Sequence, residues 1–312
     1  LLTKPSADEN GFSPEQLSTE IRLTAEDIES EINDKRSYAM TRMLETMCAD
    51  EIYGLTKNEI LENVKKVTPQ SLLAAWKFML KNGIIQLNAI GNISEDDCKK
   101  KLREAFSDVG ERTPYEPETV FVEEAEDLTE LTEELTMNQS KLVLGFRGGM
   151  TDENDDFYSR RIMTDVFGGG PYSRLFMNVR EKLSLCYYCS ARLIRGKGII
   201  VIQSGIEKEN RQKVLDEINR QLDIMKNGEF SDEDFEASKK AICDAYRSFN
   251  DTPDALDIYY GTQLTGDIVT PDEAIENFLA VTRDDVKKTA CALSLDTVYM
   301  LAGTDKEDGA DE

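Results

Sequence analysis

Apolar and polar positions alternate at two different periods along the chain. From Thr24 to Met47, TAEDIESEINDKRSYAMTRMLETM sets Ile28, Ile32, Ala39, Met43 and Met47 close to helical spacing, which predicts one long amphipathic helix. KNEILENVKKV follows as a second helical stretch. Thr68 and Pro69 then supply a cap and a first-turn proline for a helix over SLLAAWKFMLKNG, stopping at Gly83. IIQLNAIG, residues 84–91, reads as a buried strand. Ser94 caps SEDDCKKKLREAF, with Asp97 in the reciprocal capping position. After an acidic stretch with two prolines, 107–127, which reads as an interdomain linker, the strand period takes over in TELTEEL and KLVLGFR. Helices are expected over ENDDFYSRRIMTDVF and SRLFMNVREKL, strands over CYYCSARLI and KGIIVIQSG. Long helices follow at about 207–227 and 231–249, shorter ones run to 290, and LDTVYMLAG is the last strand.

The two ends of the chain share an order of elements. Around Asn33-Asp34 a long helix leads to a tyrosine-bearing stretch, a short helix, Val67-Thr68, a helix and a strand ending at Gly91. Around Asn250-Asp251 the same order recurs, through Val281-Thr282, to a strand ending at Gly303. The offsets are 250 − 33 = 217 and 281 − 67 = 214 residues, so the register drifts by only three and an internal repeat is expected. The second copy has roughly 100 residues ahead of it, 129 to 230, with no counterpart before residue 14. The expected organisation is therefore the back half of a first domain with linker over 1–127, a second domain over 128–304, and an acidic tail over 305–312. The missing front half is expected to lie outside these 312 residues. The fold class is α+β, with antiparallel or mixed sheets covered by helices.

Composition narrows the partners. A length of 312 residues with 40% hydrophobic and 31% charged residues suits a globular, soluble chain of two ordinary domains, and no apolar run is long enough to span a bilayer. The formal net charge of −24 argues against nucleic acid or an anionic membrane as partner, since both would repel it, and leaves peptides open. Six dispersed cysteines without a secretory signal point to a reduced, cytoplasmic setting.

Candidate chemistry is sparse. Gly168, Gly169 and Gly170 precede a helix that Ser173 could cap, but neither a phosphate-loop Lys-Ser/Thr nor a dinucleotide pattern follows, so a tight turn is the plainer reading. Cys186 and Cys189 have metal or redox spacing, yet on a regular strand residues three apart point to opposite faces. With no histidine, the chain cannot build an imidazole-ligated zinc centre, nor Ser-His or Cys-His nucleophiles. Arg180, a rigid fork of donors, and Tyr187, a neutral phenol donor, remain as groups able to grip the carbonyls of an extended peptide or steady an oxyanion. A surface salt bridge and a half-buried ring are the bland alternative for the pair.

The run GGGPYSRLFMNVREKLSLCYY, residues 168–188, resembles the second-domain signature of the insulinase/pitrilysin family, the inverted zinc-motif peptidases that include mitochondrial processing peptidase. Gly168 to Gly170, Ser173 to Phe176, Val179 to Lys182, Leu185 and Tyr187 carry the resemblance, and the repeat is what that two-half architecture implies. It implies a processing-peptidase-like fold, zinc as the family's cofactor, and an interdomain cleft. In that cleft Arg180 would bind peptide carbonyl and Tyr187 would help stabilise a tetrahedral intermediate. Tyr188 is adjacent, and a one-residue slip would exchange the two rings. The family's His-x-x-Glu-His helix has no match, and aligning Glu20 with the family's helix glutamate puts Asp27, beside Glu26, where a third ligand would stand. INDKRSYAMTRMLETM is similar to the bacterial branch without the zinc motif. The resemblance thus implies a non-catalytic peptide-binding chain without a metal site, in a homodimer or heterodimer with a related, histidine-bearing subunit. A metal-free portion of an active zinc endopeptidase and a structural assembly subunit are the alternatives.

Overall fold

The computed structural model describes residues 2–116, 118–149, 156–264 and 268–304. The expected acidic tail over 305–312, and the start of the helix expected from Glu153, lie outside the described residues. In chain order the elements are β1 (Ala7–Asp8), β2 (Gly11–Phe12), α1 (Pro14–Ser30), α2 (Lys35–Met47), α3 (Lys57–Lys65), α4 (Pro69–Asn82) and α5 (Glu95–Phe106). They continue as β3 (Thr129–Thr136), β4 (Ser140–Arg147), α6 (Phe157–Gly168), β5 (Cys186–Ile194), β6 (Ile199–Ile206), α7 (Arg211–Asn227) and α8 (Asp232–Ser248). The last are α9 (Pro253–Gly261), α10 (Pro271–Ala280), α11 (Arg283–Cys291) and β7 (Ser294–Thr304). These gather into two compact units that interleave along the chain. One takes the chain up to Ser30, Thr56–Glu118 and Ala245–Ala274; the other takes Glu31–Leu55, Thr119–Asp244 and the chain from Ile275 onward.

The helix expected to run unbroken from Thr24 to Met47 is two helices, and Asp34 is the reason. Its carboxylate accepts hydrogen bonds from the backbone N–H of Arg36 at 3.0 Å and of Ser37 at 3.2 Å, capping α2. Ala39, Met43 and Met47 of α2 are buried, whereas Ile32, between the helices, is exposed.

In the first unit, Thr56 and Thr68 cap α3 and α4 with reciprocal side-chain bonds, and Ser94 accepts from the Asp97 N–H at the start of α5. The C-terminus of α4 is closed by Arg112, which donates to the carbonyl oxygens of Leu80 and Gly83. Residues 84–90 form no strand: a strand needs a neighbour to complete its ladder, and no described segment provides one. Side chains hold this stretch to α9, with Gln86 donating to Tyr260 O at 2.8 Å and Asn88 to Asp257 at 3.1 Å.

The second unit is built on a five-stranded mixed sheet in the order β3-β7-β4-β6-β5, with β3 and β7 parallel and the other pairs antiparallel. Both faces of its centre are buried, so β4 and β6 carry near-continuous apolar runs. Val143, Ile199, Val201, Tyr299 and Leu301 meet Ala39, Met43 and Met47 of α2 on one face. Leu142, Leu144, Ile200, Ile202, Val298 and Met300 are buried on the other, where α6 lies against β5 and α11 against α6 and α7. Gly145 makes the docking of α2 this close: a Cβ there would stand 2.5 Å from Met47 Sδ and 2.8 Å from Met43 Sδ.

Polar clamps fix α2 at both its middle and its end. Glu133 of β3 accepts from Arg42, from Tyr38 Oη at 3.2 Å and from Tyr299 Oη at 2.8 Å. Arg147, 3% exposed, donates to Met47 O at 2.6 Å, Glu51 at 3.1 Å and Asp296 at 3.0 Å, while Lys197 pairs with Glu51 from the other side. Removing one member of such a buried set leaves the remaining charges uncompensated, at a cost of about 3–5 kcal/mol. Arg147→Met is therefore expected to lower the unfolding free energy by about that amount, read from urea denaturation, while Arg22→Ala, which breaks an exposed helical pair with Glu26, changes it by less than about 0.5 kcal/mol.

Burial alone would raise the carboxyls of Glu51 and Glu133. Lys197 and Arg147 overcome this at Glu51, Arg42 and Tyr299 at Glu133, and both carboxyls are held below the usual range. A depressed acid stabilises the fold above its unfolded value, about 4.3, and the contribution is lost as pH falls through the lower folded value. Denaturation midpoints are expected to be level above about pH 5 and to drop below about pH 4; in Glu133→Gln the drop is smaller.

Candidate functional site

The stretch 168–188 takes the chain from α6 into the edge strand β5. α6 ends with the Gly169 N–H bonded to Asp165 O at 2.8 Å, and Gly168 packs directly against Ala191 of β5. Ser173 is buried, and among the described residues its Oγ finds no hydrogen-bond partner, so its side chain caps none of them. Leu175 and Val179, four residues apart, anchor the following turns in the core. From Phe176 to Lys182, Val179 included, the winding widens into a π-helix, and the Leu183 N–H reaches back five residues to Asn178 O at 3.2 Å. Such widened turns recur at functional sites. Ser184 follows in the left-handed region at φ 51°, a position of backbone strain for a non-glycine residue, and turns the chain into β5.

This path sends Arg180 outward. Its guanidinium lies 4.7 Å over the Phe176 ring and 3.7 Å from a Glu181 carboxylate oxygen, with the side chain well exposed. Tyr187 is 57% exposed, and its hydroxyl donates to the carboxylate of Glu207; that hydrogen bond first, and the carboxylate's negative charge next, raise the phenol above its ordinary value. Among the described residues no hydrogen bond joins Arg180 to Tyr187; each has its own acidic partner. The signature's other arginine, Arg174, is a brace: it donates to Gln221 at 2.9 Å and pairs with Asp234 at 3.1 Å, tying the turn to α7 and α8.

Tyr187 stands on a β-bulge. Cys186 pairs with Ile206 and Tyr188 with Gly205, so Tyr187 is the extra residue against β6. Past the bulge, Tyr188 faces α2. Its ring occupies the space a Cβ at Gly205 would take, 2.5 Å from Tyr188 Cε1, and the Arg36 guanidinium covers it at 4.5 Å, with Lys141 Nζ at 5.9 Å from its centroid.

The bulge also corrects the reading of the cysteines. With one residue looped out, Cys186 and Cys189 share a face of β5 instead of opposing ones, and their thiols interact. The Cys189 side chain lowers the Cys186 thiol below its ordinary value, against the effect of burial, with further help from Ser204 and Arg180; the interaction with Cys186, together with complete burial, pushes Cys189 well up. Brief iodoacetamide treatment of the native protein is expected to alkylate Cys186 while sparing Cys189, with a rate midpoint below the ordinary thiol value of about 8.5, as mass spectrometry of peptides would report.

A cavity of about 530 Å³ opens beside the same strand, lined by Arg36, Ser37 and Thr41 from the N-terminal part of α2, Ser190 and Arg192 from β5, and Gln203 from β6. Neither Arg180 nor Tyr187 lines it. Arg36 donates to Gln203 at 3.3 Å and reaches Ser190 Oγ at 3.5 Å. The sequence reading passed over Arg36 and Arg192. Their convergence depends on α2 lying across the sheet, although the alternation Tyr188, Ser190, Arg192 on one strand face was legible.

Residues for zinc do not assemble. The sequence has no histidine, and among the described residues no group of three or more Cys, Asp or Glu side chains has the spacing to hold a metal ion. Asp27 is exposed on α1, and its neighbour Glu26 is paired with Arg22 at 2.7 Å. This donor set does not fit a zinc peptidase centre.

A helix-covered mixed sheet with an arginine-bearing turn before its edge strand defines a peptidase-like fold, and these 312 residues hold no histidine for a zinc centre. Comparison with known proteins agrees: residues 66–242, more than half of the chain, match the peptidase M16 inactive domain, and the chain belongs to that family. It is 29% identical over 309 residues to the probable inactive metalloprotease YmfF of Bacillus subtilis, covering 98% of this chain and 72% of that protein. It is 22% identical over 178 residues, 56% of this chain and 42% of the other, to an uncharacterized zinc protease of Rickettsia felis. A crystal structure of a conserved protein from Enterococcus faecalis superposes with a TM-score of 0.83 at 25% identity, over 97% of this chain and 72% of that one.

Proposed function

We propose that this inactive member of the M16 family binds extended polypeptides without cleaving them, taking them as an added strand along the outer edge of β5. The observation that carries the reading is that β5 pairs only with β6 among the described residues, leaving its outer edge open directly after the turn that presents Arg180 and Tyr187. An open edge offers backbone donors and acceptors to any extended chain, which gives affinity with little sequence preference. Arg180 and Tyr187, both exposed at the entry to that edge, are suited to hold carbonyl oxygens of the bound chain. The Glu207 carboxylate on the Tyr187 hydroxyl is then a competitor that a peptide carbonyl displaces. Zinc-dependent cleavage of a bound chain would require imidazoles from outside these 312 residues, as a histidine-bearing homologue would supply.

Fluorescence anisotropy with a labelled extended peptide checks the reading. Arg180→Ala and Tyr187→Phe are each expected to weaken binding by about tenfold, the loss of a hydrogen bond worth about 1.5 kcal/mol, and Glu207→Ala to leave it unchanged or tighter. Unchanged affinity in both of the first two variants would assign this face to structural assembly instead.

A further inference from the structure

Arg36 and Arg192 converge on one cavity from different elements, and neither guanidinium has a carboxylate of a described residue within salt-bridge distance, Asp34 acting on Arg36 only through its field, in a chain whose formal net charge is −24. Acidic groups are abundant enough to neutralise most arginines here, and Arg42, Arg147, Arg160, Arg174 and Arg220 all have carboxylate partners. Two guanidiniums left without one, over a cavity of about 530 Å³, make a pocket whose charge is not balanced from within. Glu31 also lines it, its carboxylate accepting from Thr41 Oγ1 at 2.7 Å, so the lining carries two positive charges against one negative. The remainder suits a single negative charge better than a multiply charged phosphate.

The neighbouring groups fix that charge in place. Arg36 is stacked on the Tyr188 ring and hydrogen-bonded to Gln203 and Ser190, which orients its fork toward the β5 side of the cavity. Lys141, close to the same ring, has its ammonium pushed below its ordinary value by burial first and by Arg36 next, as expected where positive charge is in excess; Asp34 offsets this only in part. Ser37, Thr41 and Ser190 add hydroxyls around the fork.

Resting on the strand-addition reading of β5, we infer that this cavity captures the carboxylate of a bound polypeptide, in first place its C-terminal carboxylate, between Arg36 and Arg192. Ser190 and Arg192 lie on β5 itself, three and five residues past Tyr187, so a chain added along this strand passes the cavity after the turn that bears Arg180. A chain contacting both and ending in the cavity runs parallel to β5. Planar guanidinium forks match a carboxylate's two oxygens, and such charge-assisted pairs are roughly twice as strong as neutral hydrogen bonds. The substrate class is thus an extended peptide with a free C-terminal end, or one with an acidic side chain at the same place.

The test uses the whole chain and N-terminally fluorescein-labelled peptides of alanine, serine and threonine, about eight residues long so as to run the length of β5 at about 3.3 Å per residue. One peptide ends in a free carboxylate, a second is amidated, and a third is amidated but carries glutamate as its penultimate residue. The free acid is expected to bind about tenfold more tightly than the amide, with the advantage shrinking as salt rises. Arg36→Gln and Arg192→Gln are each expected to erase that advantage while leaving the affinity for the amide unchanged. A glutamate peptide that equals the free acid assigns the site to carboxylates of either origin; one that equals the amide confines it to chain ends. Equal binding of acid and amide by the unaltered protein would overturn the inference and leave strand addition standing. If no peptide binds, strand addition falls, and titration with N-acetylalanine followed through the Arg36 and Arg192 Nε–Hε resonances reads the cavity directly. Shifts confined to these two arginines would support it, and none would overturn it.

Discussion

Arg147 is the fastening on which the larger unit depends. Its guanidinium is buried, and its donors are divided among the last carbonyl of α2, the turn bearing Glu51 and the start of β7 at Asp296. A buried cation of this kind tolerates no approximate arrangement, since any partner withdrawn leaves charge stranded in a medium that does not solvate it. The C-terminal end of α2 is thereby pinned to the rim of the sheet. Because a helix of 13 residues is a stiff rod of about 20 Å, pinning one end and clamping its middle through Arg42 and Glu133 also determines where the other end lies. That other end carries Arg36. The stack of Arg36 on Tyr188 thus follows from contacts made nearly the whole helix away.

What the sequence disclosed was mostly local. The threonine cap at 68, the proline at 69, the serine cap at 94 and the short apolar stretches that became β3 to β7 all depend on residues within a few positions of one another. Asp34 shows how a local signal can be outvoted: apolar spacing across it suggested one helix, but a carboxylate able to bond two backbone N–H groups ends that helix and begins another. The stretch 84–90 shows the opposite failure. Its composition favours a strand, yet a strand is a property of pairs, and its letters say nothing about whether a neighbour is present. The residues of the candidate site were legible only where the signature quotes them, Arg180 and Tyr187. Arg36 and Arg192, separated by 192 − 36 = 156 residues, half of the chain, become neighbours through the packing of α2, which no spacing in the sequence encodes.

The family relationship gives these observations a common sense. A peptidase needs a grip on the substrate and a metal to attack it, and the two are separable in physical terms: the grip is backbone geometry and neutral or cationic donors, whereas the attack needs ligands of defined number and spacing. This M16 chain carries groups suited to the first and has no histidine for the second. Tyr187 and Arg180 are each occupied by an acidic neighbour, Glu207 and Glu181, so in the proposed strand addition the ligand would exchange one acceptor for another.

The looped-out residue in β5 has a consequence of a different kind. Beyond it, Tyr188, Ser190 and Arg192 keep their faces because their pairing to β6 is fixed by Gly205, Gln203 and Val201, whatever happens upstream. Loss of the single letter at 187 would straighten the ladder without inverting anything after it. The chain therefore has, at this one corner, a slack link: the spacing between the arginine of the turn and the aromatic ring of the strand can shorten by one position while the pairing of the strand beyond it stays in phase.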